Sequence, residues 1–157
     1  MPTENQEEEL LEISSGEAEQ VYNWHCGPYL SKFFLGLRDQ KTILGIKCPS
    51  CGRVYVPPRE VCGSCFVKMN EWVDLGTEGI IYAFTVVRHP YIDPSTGKPV
   101  KVPRTDILVK INGADTCLLH CLDETDEKKI AVGMRVKAVF REQRKGTIHD
   151  IEYFKLE

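Results

Sequence analysis

The sequence predicts a mainly β protein: a zinc ribbon joined to a small closed β-barrel, with a short helix ahead of both. Three observations carry that class. Cys48-Pro49-Ser50-Cys51 and Cys62-Gly63-Ser64-Cys65 are two C-x-x-C pairs separated by ten residues, the spacing of a four-thiolate metal site. Five short runs of β-type composition lie between Gly79 and Lys155, with turn residues between them. Leu30, Phe33, Phe34 and Leu37 recur at i, i+3, i+4 and i+7, which places them along one face of a helix.

Residues 46 to 68 form the cysteine module. Each knuckle turns two thiolates toward one point and frees backbone N–H groups to bond the sulfurs, with Gly52 and Gly63 expected to supply the tight turns. Four thiolates at about 2.3 Å from a metal complete a tetrahedron and leave no open position, so one structural Zn²⁺ is expected on Cys48, Cys51, Cys62 and Cys65. Iron is the alternative that an S₄ donor set leaves open. A structural zinc contributes on the order of 10 kcal/mol to a module too small to hold a core of its own.

The helix is expected from Tyr29 to Arg38, with Pro28 suited to its first turn. The expected strands are Gly79 to Arg88, Thr105 to Ile111, Thr116 to Leu122, Met134 to Glu142 and Thr147 to Lys155, with hairpin connections at 112–115 and 143–146. Met134, Val136, Ala138 and Phe140 form the apolar side of their strand. The run Ile80 to Val87 is apolar on both faces, so its outer face is covered either from within the fold, which is the expectation, or by a partner. The 16 residues from His89 to Arg104 hold four prolines together with Lys98, Lys101 and Arg104. That composition reads as a shaped contact arm, and its three cations are candidate contacts to phosphate groups or to a partner.

The chain has 157 residues, 42% hydrophobic and 27% charged, close to the globular average. No apolar run approaches the roughly 20 residues of a membrane-spanning helix. Residues 1 to 20 hold seven Glu and no Lys or Arg, so the net charge of −3 conceals a body of +4. Such a body suits a phosphate-bearing ligand but falls short of the dense field of a duplex binder. The acidic start lacks the pattern of a secretory signal, and seven cysteines are an odd number; reduced thiols in the cytoplasm are expected.

In Cys117-Leu118-Leu119-His120-Cys121, strand alternation sets the cysteines and Leu119 on one side and His120 on the other, which favours buried structural cysteines over a nucleophile. His25-Cys26 reads as packing or a partner contact. Pro94 to Lys98 lacks the G-x-x-x-x-G-K spacing and is a turn. No catalytic constellation can be placed, so the chain is not expected to be catalytic alone. A barrel binding single strands needs exposed stacking aromatics, and Tyr82, Phe84, Tyr153 and Phe154 are the candidates.

Phe33 to Arg38, Cys48-Pro49-Ser50-Cys51-Gly52, Val56-Pro57-Pro58-Arg59, Cys62-Gly63-Ser64-Cys65, Glu71-Trp72-Val73 and Gly79 to Val87 follow one another in a recognisable order. From about Tyr29 to the C-terminus the chain resembles the acyl-CoA-associated family with an N-terminal helix, a rubredoxin-like zinc ribbon and a C-terminal five-stranded OB-fold. The resemblance implies a small non-catalytic subunit of thiolase-type enzymes, with the nucleophilic Cys and the His bases on the partner. Within the family the chain looks most like the small subunits of thiolases in anaerobic aromatic degradation, of the benzoylsuccinyl-CoA thiolase type. Residues 1 to 28 lie outside the resemblance, and the arm finds no residue-by-residue match.

Four parts are therefore expected: an acidic N-terminal extension (1–28), a helical segment (29–45), a zinc ribbon (46–68) and an OB-fold domain (69–157). The expected function is a zinc-binding subunit that stabilises a thiolase-type acyl-CoA enzyme and helps to form its acyl-CoA site, with Lys98, Lys101 and Arg104 meeting CoA phosphates or the partner. The alternative is a single-stranded nucleic-acid-binding module, because ribbons and OB barrels serve that purpose as well.

Overall fold

In the computed structural model, which describes residues 25–92 and 97–157, helix α1 (Gly27–Leu35) carries Pro28 in its first turn and runs into a π-helical turn (Gly36–Gln40). Proline at that place gives up an N–H that has no partner in any helix. Phe33 and Leu37 of the predicted stripe are fully buried, while Leu30 and Phe34 are half-buried. The acidic residues 1–20 and the arm's tip, Asp93 to Thr96, lie outside the described residues.

Three antiparallel strands follow: β1 (Leu44–Lys47), β2 (Val54–Tyr55) and β3 (Glu71–Asp74), with β1 in the centre. The ribbon's sheet therefore draws on residues either side of 46–68. Strand β1 sits between two partners, which satisfy its backbone groups from both sides.

The remaining strands are β4 (Glu78–Val87), β5 (Arg104–Ile111), β6 (Leu118–Leu122), β7 (Arg135–Phe140) and β8 (Ile151–Leu156), closed as a barrel in the order β4-β5-β6-β8-β7. All neighbours are antiparallel except β6 and β8. This is the expected five-stranded OB-type barrel. The ten-residue β4 pairs with both β5 and β7 and curls between them at a bulge between Ile81 and Ala83. At Gly79 the strands come so close that a Cβ would meet Lys110 O at 2.5 Å; glycine alone permits that approach.

Thr105, Ile107, Val109 and Ile111 of β5 point inward and are buried, as a strand with period two requires. Three expected strands are shorter than their composition suggests, that of Met134 to Glu142 keeping only Arg135–Phe140. Thr116 and Cys117 precede β6, because the Thr116 hydroxyl accepts from Val56 N (2.7 Å) and donates to Val56 O (2.8 Å). Residues Ile148–Asp150 form a 3₁₀ turn, because the buried Asp150 carboxylate accepts the N–H groups of Lys145, Gly146 and Thr147. Met134, expected inside, is exposed, while Val136 and Ala138 are buried. Against the expectation of cover from within the fold, the described residues leave the outer face of β4 partly exposed: Tyr82 is 60% and Ile80 37% exposed.

Ribbon and barrel are stitched together. Val54 N donates to Asp115 Oδ2 and Asp115 N to Val54 O, each at 2.9 Å. Helix α1 and the π-helical turn after it span both parts: Phe33 and Leu37 join the barrel core, while Tyr29 packs on the ribbon core and donates its hydroxyl to Met69 O at 3.0 Å.

Candidate metal centre

The four sulfurs of Cys48, Cys51, Cys62 and Cys65 lie within 4.8 Å of one another. Cys51 and Cys62 Sγ are 3.8 Å apart, which is about the edge of a tetrahedron whose sulfurs stand some 2.3 Å from a central ion. Cys48 and Cys62 are buried, and Cys51 N donates to Cys48 Sγ at 3.5 Å. Donor number, donor type and spacing all fit zinc held structurally, with no ligand position left for a substrate. The predicted ligand set is brought to one point.

Two equivalent loops build this point. Gly52 N donates to Cys48 O (2.9 Å) and Cys48 N to Arg53 O (2.8 Å); Phe66 N donates to Cys62 O and Cys62 N to Val67 O, both at 3.0 Å. Each loop needs a left-handed residue after its second cysteine. Gly52 fills that need with φ 74°, whereas the second knuckle uses Phe66 at φ 58° and not Gly63, the residue expected to turn it. The Phe66 ring is 81% exposed.

Sequence reasoning missed Tyr55. Its hydroxyl lies 3.3 Å from Cys62 Sγ and accepts the Gly63 N–H at 3.2 Å. That hydroxyl first, and then the amides of Cys65 and Ser64, hold the Cys62 thiol down to about 6, so the sulfur is readily the thiolate a metal requires. The signal was present only as an aromatic residue between the knuckles, which core packing explains equally well.

The other candidates lie elsewhere. Strand alternation holds for Leu118 and Leu122, both buried, and for Leu119, which is 64% exposed. It does not separate His120 from Cys121, whose Sγ stands 3.5 Å from His120 Nδ1. Burial pushes the Cys121 thiol up and the His120 imidazole down, so the pair is neutral near pH 7 and no thiolate nucleophile. Cys121 points its thiol at Glu152 O, 3.4 Å away.

Lys98 and Lys101 are exposed on the arm, which folds back on itself through an Ile92–Pro99 bridge and a Val100 N to Tyr91 O hydrogen bond of 2.8 Å. Arg104 begins β5 and is paired with Asp106 at 2.7 Å. It lines an open groove of about 820 Å³ with Arg141, Lys145, His149, Glu142 and Glu152, and neither arm lysine reaches that lining. The four candidate stacking aromatics do not form a platform: Phe154 is fully buried, Phe84 packs on the core, Tyr153 is half-buried, and Tyr82 alone stands out. No helix among the described residues is long and apolar enough to cross a membrane.

Residues 37–70 match the family model described as the ChsH2 rubredoxin-like zinc ribbon domain, and residues 72–141 match the ChsH2 C-terminal OB-fold domain. A DUF35 domain-containing scaffold protein of Methanocaldococcus jannaschii is 29% identical over 108 residues, 67% of this chain and 72% of that protein. A DUF35-family crystal structure of unknown function from Sulfolobus solfataricus superimposes with a TM-score of 0.60 at 26% identity, covering 83% of this chain and 87% of that one. The Ltp2-ChsH2(DUF35) aldolase superimposes with a TM-score of 0.59 at 20% identity, over 85% of this chain and 98% of that one, a likeness of fold. Four sulfurs gathered by two knuckles, a closed five-stranded barrel and two adjacent domain matches agree: the chain belongs to the ChsH2 (DUF35) family, which joins a rubredoxin-like zinc ribbon to an OB-fold domain.

Proposed function

We propose that this chain is a non-catalytic zinc-binding subunit that stabilises a thiolase-type acyl-CoA enzyme and helps to form its acyl-CoA site. The observation that carries the reading is the apolar surface it presents. Phe66 on the ribbon, Tyr82 on β4, Leu119 on β6 and Ile92 on the arm are all exposed, and side chains of this aromatic and aliphatic kind are the ones that anchor protein interfaces. Zinc here is scaffolding for that interface. The relatives support it: one is named a scaffold protein, and another is seen with Ltp2 in an aldolase.

Lys98 and Lys101, on an arm that already has a backbone shape, are placed to meet CoA phosphates or the partner at small ordering cost, with Arg104 at its root. The resemblance to subunits of aromatic-degradation thiolases supports an aromatic acyl-CoA as substrate. All seven cysteines are free of disulfides, which supports the reducing cytoplasm as its compartment.

Affinity capture of the tagged chain from its native source tests the reading. Co-purification of a larger subunit with a reactive Cys, acyl-CoA turnover by the complex and none by the lone chain are expected. Robust turnover by the lone chain that Cys121→Ala abolishes would instead make it an enzyme.

A further inference from the structure

We infer that Tyr55 is a positioning residue for the metal centre: its hydroxyl donates a hydrogen bond to the Cys62 sulfur and thereby sets how tightly and how long the zinc is held.

The direction of the bond follows from its neighbours. Tyr55 lies on β2, 3% exposed, in a small core with Ile46, Cys48, Cys62 and Met69. Gly63 N donates to Tyr55 Oη at 3.2 Å, and an amide N–H can only donate, so it occupies a lone pair of that oxygen. The hydroxyl proton is left for the sulfur 3.3 Å away. A metal-bound thiolate has no proton to return, so Oη is the donor. The resulting relay, Gly63 N–H to Tyr55 O–H to Cys62 Sγ, strengthens each of its bonds by polarising the next.

The twofold likeness of the knuckles separates this role from packing. Tyr55 stands seven residues after Cys48, and Met69 stands seven residues after Cys62; both are buried in the same cluster. Met69 fills its place with no proton to give. The fold therefore asks for a large side chain at this position, and the hydroxyl is an addition to that requirement. What it adds is a fixed sulfur orientation and a withdrawal of charge from Cys62, which makes that sulfur a poorer nucleophile toward electrophiles while it stays on the metal. Removing such outer partners typically weakens metal binding 10- to 100-fold.

The experiment compares the full-length chain with Tyr55→Phe, which keeps the ring, and with Met69→Leu, which disturbs packing at the equivalent place. Zinc is drawn off by a chromophoric chelator, and the cobalt(II)-substituted forms are compared by absorption. Tyr55→Phe is expected to lose zinc at least about 10-fold more readily, with its sulfur-to-cobalt charge-transfer bands moved to lower energy and its tetrahedral d–d bands retained. Met69→Leu should change neither. Tyr55→Phe matching the wild type in both readouts, or Met69→Leu weakening the metal equally, would overturn the assignment. A third measurement needs no variant: in the ¹¹³Cd-loaded wild type, the Tyr55 hydroxyl proton should couple to cadmium through Cys62 Sγ, and an uncoupled, freely exchanging hydroxyl refutes the bond.

Discussion

Gly52 and Phe66 occupy the same place in two equivalent loops, one residue after the second cysteine of each knuckle, and both hold a left-handed backbone, at φ 74° and 58°. Each donates its N–H to the carbonyl of its knuckle's first cysteine. Glycine adopts that conformation freely, whereas a side chain bearing Cβ is strained there by about 1 kcal/mol. The second knuckle thus carries an exposed aromatic ring where ease of folding favours glycine. A strained, solvent-facing aromatic at this turn suits the anchor of the proposed interface.

Phe66→Gly should therefore separate stability from assembly. The zinc-loaded variant is expected to melt no lower than the wild type, with a gain of up to about 1 kcal/mol, or about 3 °C, limited by glycine's freer unfolded chain. Its affinity for the partner subunit should fall. Calorimetry and co-purification read the two effects, and a variant destabilised by more than 1 kcal/mol would show that the ring packs within the chain after all.

Removal of zinc should open the ribbon first. With on the order of 10 kcal/mol of folding free energy withdrawn, a strong chelator or Cys62→Ala is expected to abolish hydrogen-exchange protection across β1, β2 and β3. The barrel strands β5, β7 and β8 should keep theirs, because their buried residues form a separate core. Amides at the seam, such as Val54 and Val56, report the boundary, since their acceptors Asp115 and Thr116 lie beyond the ribbon. Equal loss of protection in the barrel would show a single cooperative unit.

His120 should make the barrel acid-sensitive. Burial lowers its pKa, with a weaker opposing effect from the Ile148 carbonyl 3.4 Å from Nε2. In the native state it is therefore protonated only at a pH below the usual 6.5. The unfolded chain binds the proton first, so the stabilisation is complete above pH 6.5 and is lost as pH falls toward the native value. Unfolding free energies measured from pH 7.5 to 5 should drop more steeply for the wild type than for His120→Gln. Taking the difference removes the acid sensitivity of the zinc site common to both. Parallel curves would contradict the sign.

The arm should act on binding more than on chemistry. On the proposed function, replacing Lys98, Lys101 and Arg104 together by Ala in the assembled complex is expected to raise KM for the acyl-CoA several-fold with a smaller effect on kcat. Exposed contacts are worth at most about 1 kcal/mol each, so single substitutions are too small to judge by. Since Arg104 also neutralises Asp106, the Lys98→Ala/Lys101→Ala pair isolates the arm itself. An unchanged KM in an intact complex rejects the phosphate contact, and a complex that dissociates reassigns the arm to docking.

Much of the architecture was legible because it rests on local chemistry. The paired C-x-x-C spacing announces four thiolates on one ion without reference to the rest of the chain, and the period-two pattern of Thr105 to Ile111 announces a strand with one buried face. Strand ends were less legible. Thr116 and Ile148 read as strand residues, yet a hydroxyl bonded to Val56 and a carboxylate capping three amides hold the backbone otherwise. The first depends on a partner 60 residues away that no local window contains; the second is a local capping pattern, Thr147 with Asp150, that the apolar period overshadowed.

By itself, then, the sequence determined a four-thiolate metal site, the helix face that packs and the number of barrel strands, since each is a property of spacing or period within a short stretch. Tertiary structure alone decided which side chains serve those parts and which remain in the open. Tyr55 becomes a sulfur's hydrogen-bond partner because the second knuckle folds back over β2, and Phe66 takes the turn meant for glycine because knuckle geometry demands a left-handed residue there. Tyr82 and Leu119 stand exposed on the barrel, at 60% and 64%. Such outcomes depend on where distant segments come to rest, and a pattern read along the chain holds no record of that.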